Sequence, residues 1–283
     1  MNALIMLLLA LSPHAVQGDG FRESDTEDIH RTLAFPAGGT SHQLVIDNIN
    51  GSITVTGYEG NDVQVTAHRV NWGDSRERLE EGKKKITLDV SQEDGKIVLY
   101  VNTPWRCGDG SPAFDRRDYY GYDADFTFDV RVPVETEIFL KTVNKGSITV
   151  RGVDGDYEVH NVNGPVEMTG IGGSGLVSTV NGGLDVRFSR NPSGRCGFHT
   201  VNGTIEISVP EDLSADLRLK TFNGEVRSDF DVTGLPQQIP PPRKIGRRTV
   251  YGGNEFSDVR AGKGGPEMVF ETLNGDIRIL KAH

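Results

Sequence analysis

Three carboxylates hold one slot of a repeated motif. Glu167, Asp185 and Glu206 each stand three residues after the glycine of an Asn-Gly pair, and Thr149, Arg227 and Arg278 occupy the same slot in other copies. If the copies stack as parallel strands, neighbouring carboxylates lie about 4.8 Å apart. Carboxylates that close repel one another, and are tolerated by binding a cation or sharing a proton. Two acids roughly 5 to 9 Å apart would also suit glycoside hydrolysis. The plainer reading, which we adopt, is a wet strand face whose charge is relieved by Arg187 and Arg227 alongside.

A second slot, three residues before the Asn, holds His160 and His199, with Ser178 on the copy between them. Stacking would separate the two imidazoles by about 9.6 Å, too far for one metal ion whose ligand bonds are near 2.1 Å. Ser41-His42 and the other histidines lack the spacing of a nucleophile and its base. No Gly-x-Gly-x-x-Gly opens a helix after a strand, so the glycines are turn residues and not a nucleotide cradle. We therefore expect no catalytic residue, no metal site and no cofactor.

The elements that must position these residues are written in the repeat itself. An apolar residue, Asn-Gly, then alternating polar and apolar positions recur at Asn50-Gly51, Asn163-Gly164, Asn181-Gly182, Asn202-Gly203, Asn223-Gly224 and Asn274-Gly275. A seventh copy, Asn144-Lys145-Gly146, carries an inserted Lys. From Asn144 to Asn223 the spacings are 19, 18, 21 and 21 residues, enough for two short strands and two turns. Asn-Gly alone signals a two-residue hairpin turn, which predicts an antiparallel meander or sandwich. Near-identical residues at a fixed phase predict stacking instead. Thr142, Thr179, Thr200, Thr221 and Thr272 all stand two before the Asn, with Asn161 in that slot once, so Thr and Asn would form ladders.

We expect an all-β, repeat-built, β-solenoid-like stacked sheet, with the meander or sandwich as the alternative. Its core would contain Ile148, Val150, Val166, Met168, Leu184, Val186, Ile205, Ile207, Leu217 and Leu219. One short helix is expected near 74–85, capped by Asp74, and a hairpin across Glu93-Asp94-Gly95.

The Thr-Val-Asn-Gly strings, the spacers Gly152-Val153-Asp154-Gly155 and Gly170-Ile171-Gly172-Gly173, and the closing Glu271-Thr272-Leu273-Asn274-Gly275-Asp276-Ile277 resemble the bacterial putative-adhesin family of envelope β-strand-repeat proteins, a domain of unknown function. The likeness runs over residues 44–280. It implies a β-solenoid-like fold, an envelope setting and a binding or structural role, and it brings no catalytic residues. The chain departs from the pattern at Lys145, at 105–125 and at 235–250.

Residues 1–18 contain nine apolar positions, Ala3 to Leu11, and no charge. The run is too short to span a bilayer and reads as a secretory signal cleaved after Gly18. Residues 19–43 then form an N-terminal extension and first strand. Residues 44–280 form one β-repeat domain, divided into an irregular part (44–137), regular repeats (138–231), an insertion (232–265) and a closing repeat (266–280). The chain has 283 residues, 35 of them Gly, and hydrophobics are only 36%, which argues against a compact helical protein. With 40 acidic and 30 basic residues the net charge is −10, which opposes nucleic acid and anionic membrane surfaces as partners. In an oxidising envelope Cys107 and Cys196 are able to pair and close a loop of about 90 residues; two free thiols fit equally well.

Binding is expected in the aromatic insertion, at Trp105, Arg106, Arg116, Arg117, Tyr119, Tyr120 and Tyr122, because aromatics with Arg are the usual composition of contact surfaces. The competing account is a loop folded over the sheet, its aromatics sealing an open end of the core. The Pro-rich insertion at 236–248, with four positive charges, is either a docking segment for an acidic partner or a solvated linker. The chain then reads as an exported adhesin-like or structural binding module, periplasmic, outer-surface or secreted, with an envelope protein or glycan as partner. The rivals are a carbohydrate-active enzyme on a β-helix and an envelope-stress or assembly factor that binds another protein. Oligomeric state is left open.

Overall fold

A computed structural model describes residues 20–35, 42–106, 120–236, 243–245, 248–250 and 256–282. In chain order the first elements are β1 (Glu23–Ala34), β2 (Gln43–Asp47), β3 (Ile53–Tyr58), β4 (Asp62–Gly73), helix α1 (Arg76–Lys85), β5 (Thr87–Glu93), β6 (Lys96–Asn102) and β7 (Tyr122–Pro133). The regular repeats follow as β8 (Glu137–Thr142), β9 (Ile148–Arg151), β10 (Tyr157–Asn161), β11 (Val166–Ile171), β12 (Gly175–Ser178), β13 (Leu184–Phe188), β14 (Cys196–Asn202) and β15 (Ile205–Val209). Last come β16 (Ala215–Asn223), β17 (Val226–Ser228), β18 (Val232–Gly234), β19 (Arg243–Ile245), β20 (Arg248–Val250), β21 (Ser257–Ala261), β22 (Glu267–Asn274) and β23 (Ile277–Lys281).

Alternating apolar residues give most strands one buried face, and two large sheets bury those faces against each other. The first runs β1-β4-β7-β3-β9-β11-β13-β15-β23-β17, and the second β18-β21-β16-β22-β14-β12-β10-β8-β2-β6-β5. Within the repeats every pairing is parallel, so successive units stack as coils, each giving one strand to each sheet. Antiparallel pairs are confined to the flanks, at β1–β4, β4–β7, β5–β6, β16–β21 and β18–β21 in these two sheets. The fold is thus all-β as expected, and its two facing sheets also satisfy the description of a sandwich. All ten residues expected in the core are buried.

Coil order departs from chain order at both ends. The β22/β23 coil inserts between β14/β15 and β16/β17, and β2/β3 lies between β6/β7 and β8/β9. The chain therefore places its closing repeat inside the stack.

The Asn-Gly pairs are corners, not hairpin turns. Among the repeat glycines only Gly51 and Gly275 have positive φ. What demands glycine is close approach: a Cβ on Gly164 would lie 2.0 Å from Gly146 O, and one on Gly203 would lie 2.0 Å from Gly182 O. In the copy with the inserted residue, Lys145 itself takes the left-handed conformation, at φ 56°. The Glu93-Asp94-Gly95 turn does form a hairpin, with Asp94 and Gly95 at φ 49° and 77°, the signs of a type I′ turn. Helix α1 is capped by Ser75 and not by Asp74. Ser75 Oγ accepts from Arg78 N–H at 3.3 Å, while the Asp74 N–H is spent on Gly121 O.

Candidate binding surface

The aromatic insertion is folded inward where the structure describes it. Trp105 and Tyr122 are buried, and with the half-buried Tyr120 their ring centroids lie 5.6 to 6.1 Å apart in a tilted cluster packed on the end of the core. Burial pushes the Tyr122 phenol above its ordinary range. The Arg106 guanidinium is 4% exposed, lies over the Tyr100 ring at 4.2 Å and donates to both carboxylate oxygens of Asp47. Where described, these side chains pack against the core and against one another. Arg116, Arg117, Tyr119 and Cys107 lie outside the described residues, as do residues 1–18 and most of the Pro-rich insertion. Cys196 is a buried free thiol, 3.6 Å from Tyr157 Oη, and burial raises both pKa values.

The two polar rows anticipated from the spacing are both present. Register places Thr149, Glu167, Asp185, Glu206, Arg278 and Arg227 side by side on the outer face of the first sheet. Arg187 grips Asp185 at 2.9 Å and Arg278 reaches Glu206 at 3.4 Å, so these charges are relieved by arginines at the wet surface. A shallow cleft of about 490 Å³ lies over this row. Among the described residues no group of three His, Cys, Asp or Glu is placed to hold a metal ion.

On the outer face of the second sheet, register aligns His160, Ser178 and His199. Here the structure adds a residue that the spacing argument missed. His160 Nδ1 lies 2.6 Å from Ser178 Oγ, and Nε2 lies 2.7 Å from Glu158 Oε1. The signal was Glu158 two residues before His160, hence on the same face of β10. Nucleophile, base and orienting acid are thus in contact. Acyl transfer also needs free N–H donors for the oxyanion, yet the Thr179 N–H beside this serine is spent on His199 O in the ladder. The trio reads as a surface hydrogen-bond chain.

Below the corner, the ladders form as expected. Each Thr hydroxyl, or the Asn161 amide, donates to the repeat glycine carbonyl of the adjacent coil at 2.8 to 3.1 Å. The Asn amides then run without a break: Asn223 to Asn274, Asn202, Asn181, Asn163, Asn144 and Asn50, each Nδ2 donating to the next Oδ1, with Asn50 donating to Asp123. This ladder fixes what projects beside it. The residue just before each Asn is apolar, and along the array these side chains emerge: Val143 is buried, Val180 and Val201 are 38% and 37% exposed, Leu273 47% and Phe222 74%. A cleft of about 340 Å³ runs beside Val201, Leu273 and Phe222, with His199, Lys220 and Glu271 on its flank. Lys220 pairs with Glu271 at 2.9 Å, and burial lowers the pKa of half-buried His199, partly offset by Glu271 at 3.6 Å.

No family model and no curated protein matches the chain. Among solved structures, a putative cell adhesion protein from Clostridium sporogenes aligns with 91% of this chain and 100% of its own, at 12% identity and a TM-score of 0.44. A putative adhesin from Parabacteroides distasonis aligns over 93% and 98%, at 12% identity and a TM-score of 0.24. A putative lipid binding protein from the same species aligns over 92% and 97%, at 9% identity and a TM-score of 0.25. Among the described residues no helix is long and apolar enough to cross a membrane.

Proposed function

We propose that the protein is an exported, non-catalytic binding module of the bacterial envelope that takes a protein partner along the corner edge of its stack. The observation that carries this is the row Val180, Val201, Leu273 and Phe222: four apolar side chains, one per coil, exposed in sequence and held in line by the amide ladder. Single exposed apolar residues are ordinary; a contiguous row is the mark of an interaction site. Phe222, the most exposed, offers the aromatic anchor that such contacts favour. Export is supported by the uncharged apolar run at Ala3 to Leu11.

The test is site-specific photo-crosslinking in cells. A benzophenone side chain at position 222 should give one discrete adduct, and a second change, Leu273→Ser, should abolish it. A probe at Val90, exposed on β5 away from this row, should give none. Equal adducts at both positions, or capture of a glycan that Phe222→Ser leaves intact, would overturn the protein-partner reading. N-terminal sequencing from cell fractions checks export, and an intact Met1 in the cytoplasm would overturn it.

A further inference from the structure

Strand β1 is twelve residues long and has β4 on one side only; among the described residues nothing pairs with its other edge. A long open edge is a template for another strand, and proteins normally blunt it with charge. The charges on β1 do more than blunt it. Ile29 and Leu33 pack toward the core, and Glu27 on that same face reaches Arg69 at 3.8 Å, while Asp28 and His30 meet His68 and Thr66 on the outer face. Arg31 shares the inner face with Glu27, is exposed, and makes no ion pair among the described residues; its guanidinium donates to the neighbouring His30 O at 2.8 Å.

We propose that β1 pairs antiparallel with β1 of a second copy, about a two-fold axis at Ile29, and so joins the first sheets of two molecules into one. A two-fold axis normal to the sheet keeps each side chain on its own face, so the axis must pass through a residue and not between two. Each choice of axis then makes a different set of contacts. At Glu27, Asp28 or Arg31 it sets like charges directly opposite, and at His30 it sets two imidazoles opposite and joins no opposite charges. At Ile29 every central residue finds a complement: Ile29 meets Ile29, Glu27 meets Arg31 twice on the inner face, Asp28 meets His30 twice on the outer face, and Thr26 meets Thr32. Of the five axes, only Ile29 joins opposite charges without setting like charges directly opposite. Arg31 thereby gains a carboxylate, which it does not meet among the described residues of its own chain.

The experiment uses the full mature chain at on the order of 100 µM, where a small interface of this kind associates. Light scattering after size exclusion should show a dimer. Arg31→Glu and Glu27→Lys should each run as monomers, Arg31→Glu with little change in melting temperature and Glu27→Lys with a lower one because it faces Arg69. Mixed one to one they should form a heterodimer, because the first variant then presents acid at both inner-face positions and the second presents base at both. Register is read separately: under mild oxidation Ile29→Cys should cross-link far more than either His30→Cys or the parent chain. A monomeric parent, a mixture that stays monomeric, or preferential cross-linking at position 30 would overturn the proposal. So would a dimer that both charge variants leave intact, since another surface would then be responsible.

Discussion

Asn274 donates its side-chain amide to Asn202 at 2.8 Å although 72 residues separate them, and in turn accepts from Asn223 at 2.7 Å. The last repeat of the chain is therefore the neighbour of two units made long before it. Ordinary stacked repeats end at their terminal coil, so trimming one costs a single interface. Here β22 separates β14 from β16 and β23 separates β15 from β17, so the closing repeat supplies two interfaces at once.

Deleting residues 266–283 should accordingly detach the β16/β17 coil from the stack, leaving β16 paired with β21 alone, as well as expose β14 and β15. Limited proteolysis with mass mapping should find new cuts between 196 and 230 while 44–170 stays protected. If cleavage stops at residue 265, the coil order is wrong.

The amide ladder has a direction, and substitutions should report it. Asn181→Asp keeps an acceptor for Asn202 but loses the donor to Asn163, whereas Asn181→Ala loses both bonds. At about 1 kcal/mol per bond, urea denaturation should rank them with Ala near 2 kcal/mol destabilised and Asp between it and the parent.

Two adjacent glycine roles separate cleanly. A Cβ on Gly203 would sit 2.0 Å from the Gly182 carbonyl oxygen, while one on Gly183 would meet Thr204 O at 3.3 Å. Gly203→Ala should cost about 2–4 kcal/mol through forced separation of coils, and Gly183→Ala less than about 1 kcal/mol. Equal melting temperatures for the two variants would refute the close-approach account.

The stack was readable from the sequence because its period and its Thr slot are chemical: only one phase lets each Thr meet a glycine carbonyl of the next coil. The two polar rows were readable for the same reason, since equal phase becomes lateral adjacency. Coil order was not. The closing copy has the same phase and corner residues as the others, so nothing local tells β22 to enter beside β14 instead of following β16. The corner row was hidden differently. Val180, Val201, Leu273 and Phe222 read as the apolar half of a repeat motif, and only the geometry of the corner shows that they point to solvent. Conversely Trp105 and Arg106 have the composition of a contact surface, but Trp105 is buried against Tyr120 and Tyr122, which removes apolar area from water, and Arg106 is held by Asp47 and Tyr100.

Trp105→Ala should therefore act on stability. Loss of a buried indole packed against the core should cost about 3–5 kcal/mol. Crosslinking at position 222 should survive at temperatures where the variant is folded. A variant that melts like the parent but loses its partner would return the binding role to this segment.

The pH response should come in two separable steps. Burial lowers the His199 pKa below its ordinary 6.5, with Arg195 adding to the effect and Glu271 opposing it. As pH falls through 6.5 the unfolded chain takes the proton first, so this contribution is complete above 6.5 and is lost on descending toward the lower folded value. The side chain is 37% exposed, so the effect is small. Asp25, Asp216 and Asp276 behave the opposite way in sign of charge but not in direction of stability. Hydrogen bonds from Lys83, Arg260 and the Glu225 N–H respectively hold their pKa values below 3.8, so their contribution is complete above 3.8 and disappears as pH falls below it. His199→Gln should slightly reduce the fall in melting temperature as pH drops below 6.5 while leaving the loss below 3.8 untouched. If the variant keeps the upper slope, a different group carries it, and the burial assigned to His199 in the cleft beside Phe222 is wrong.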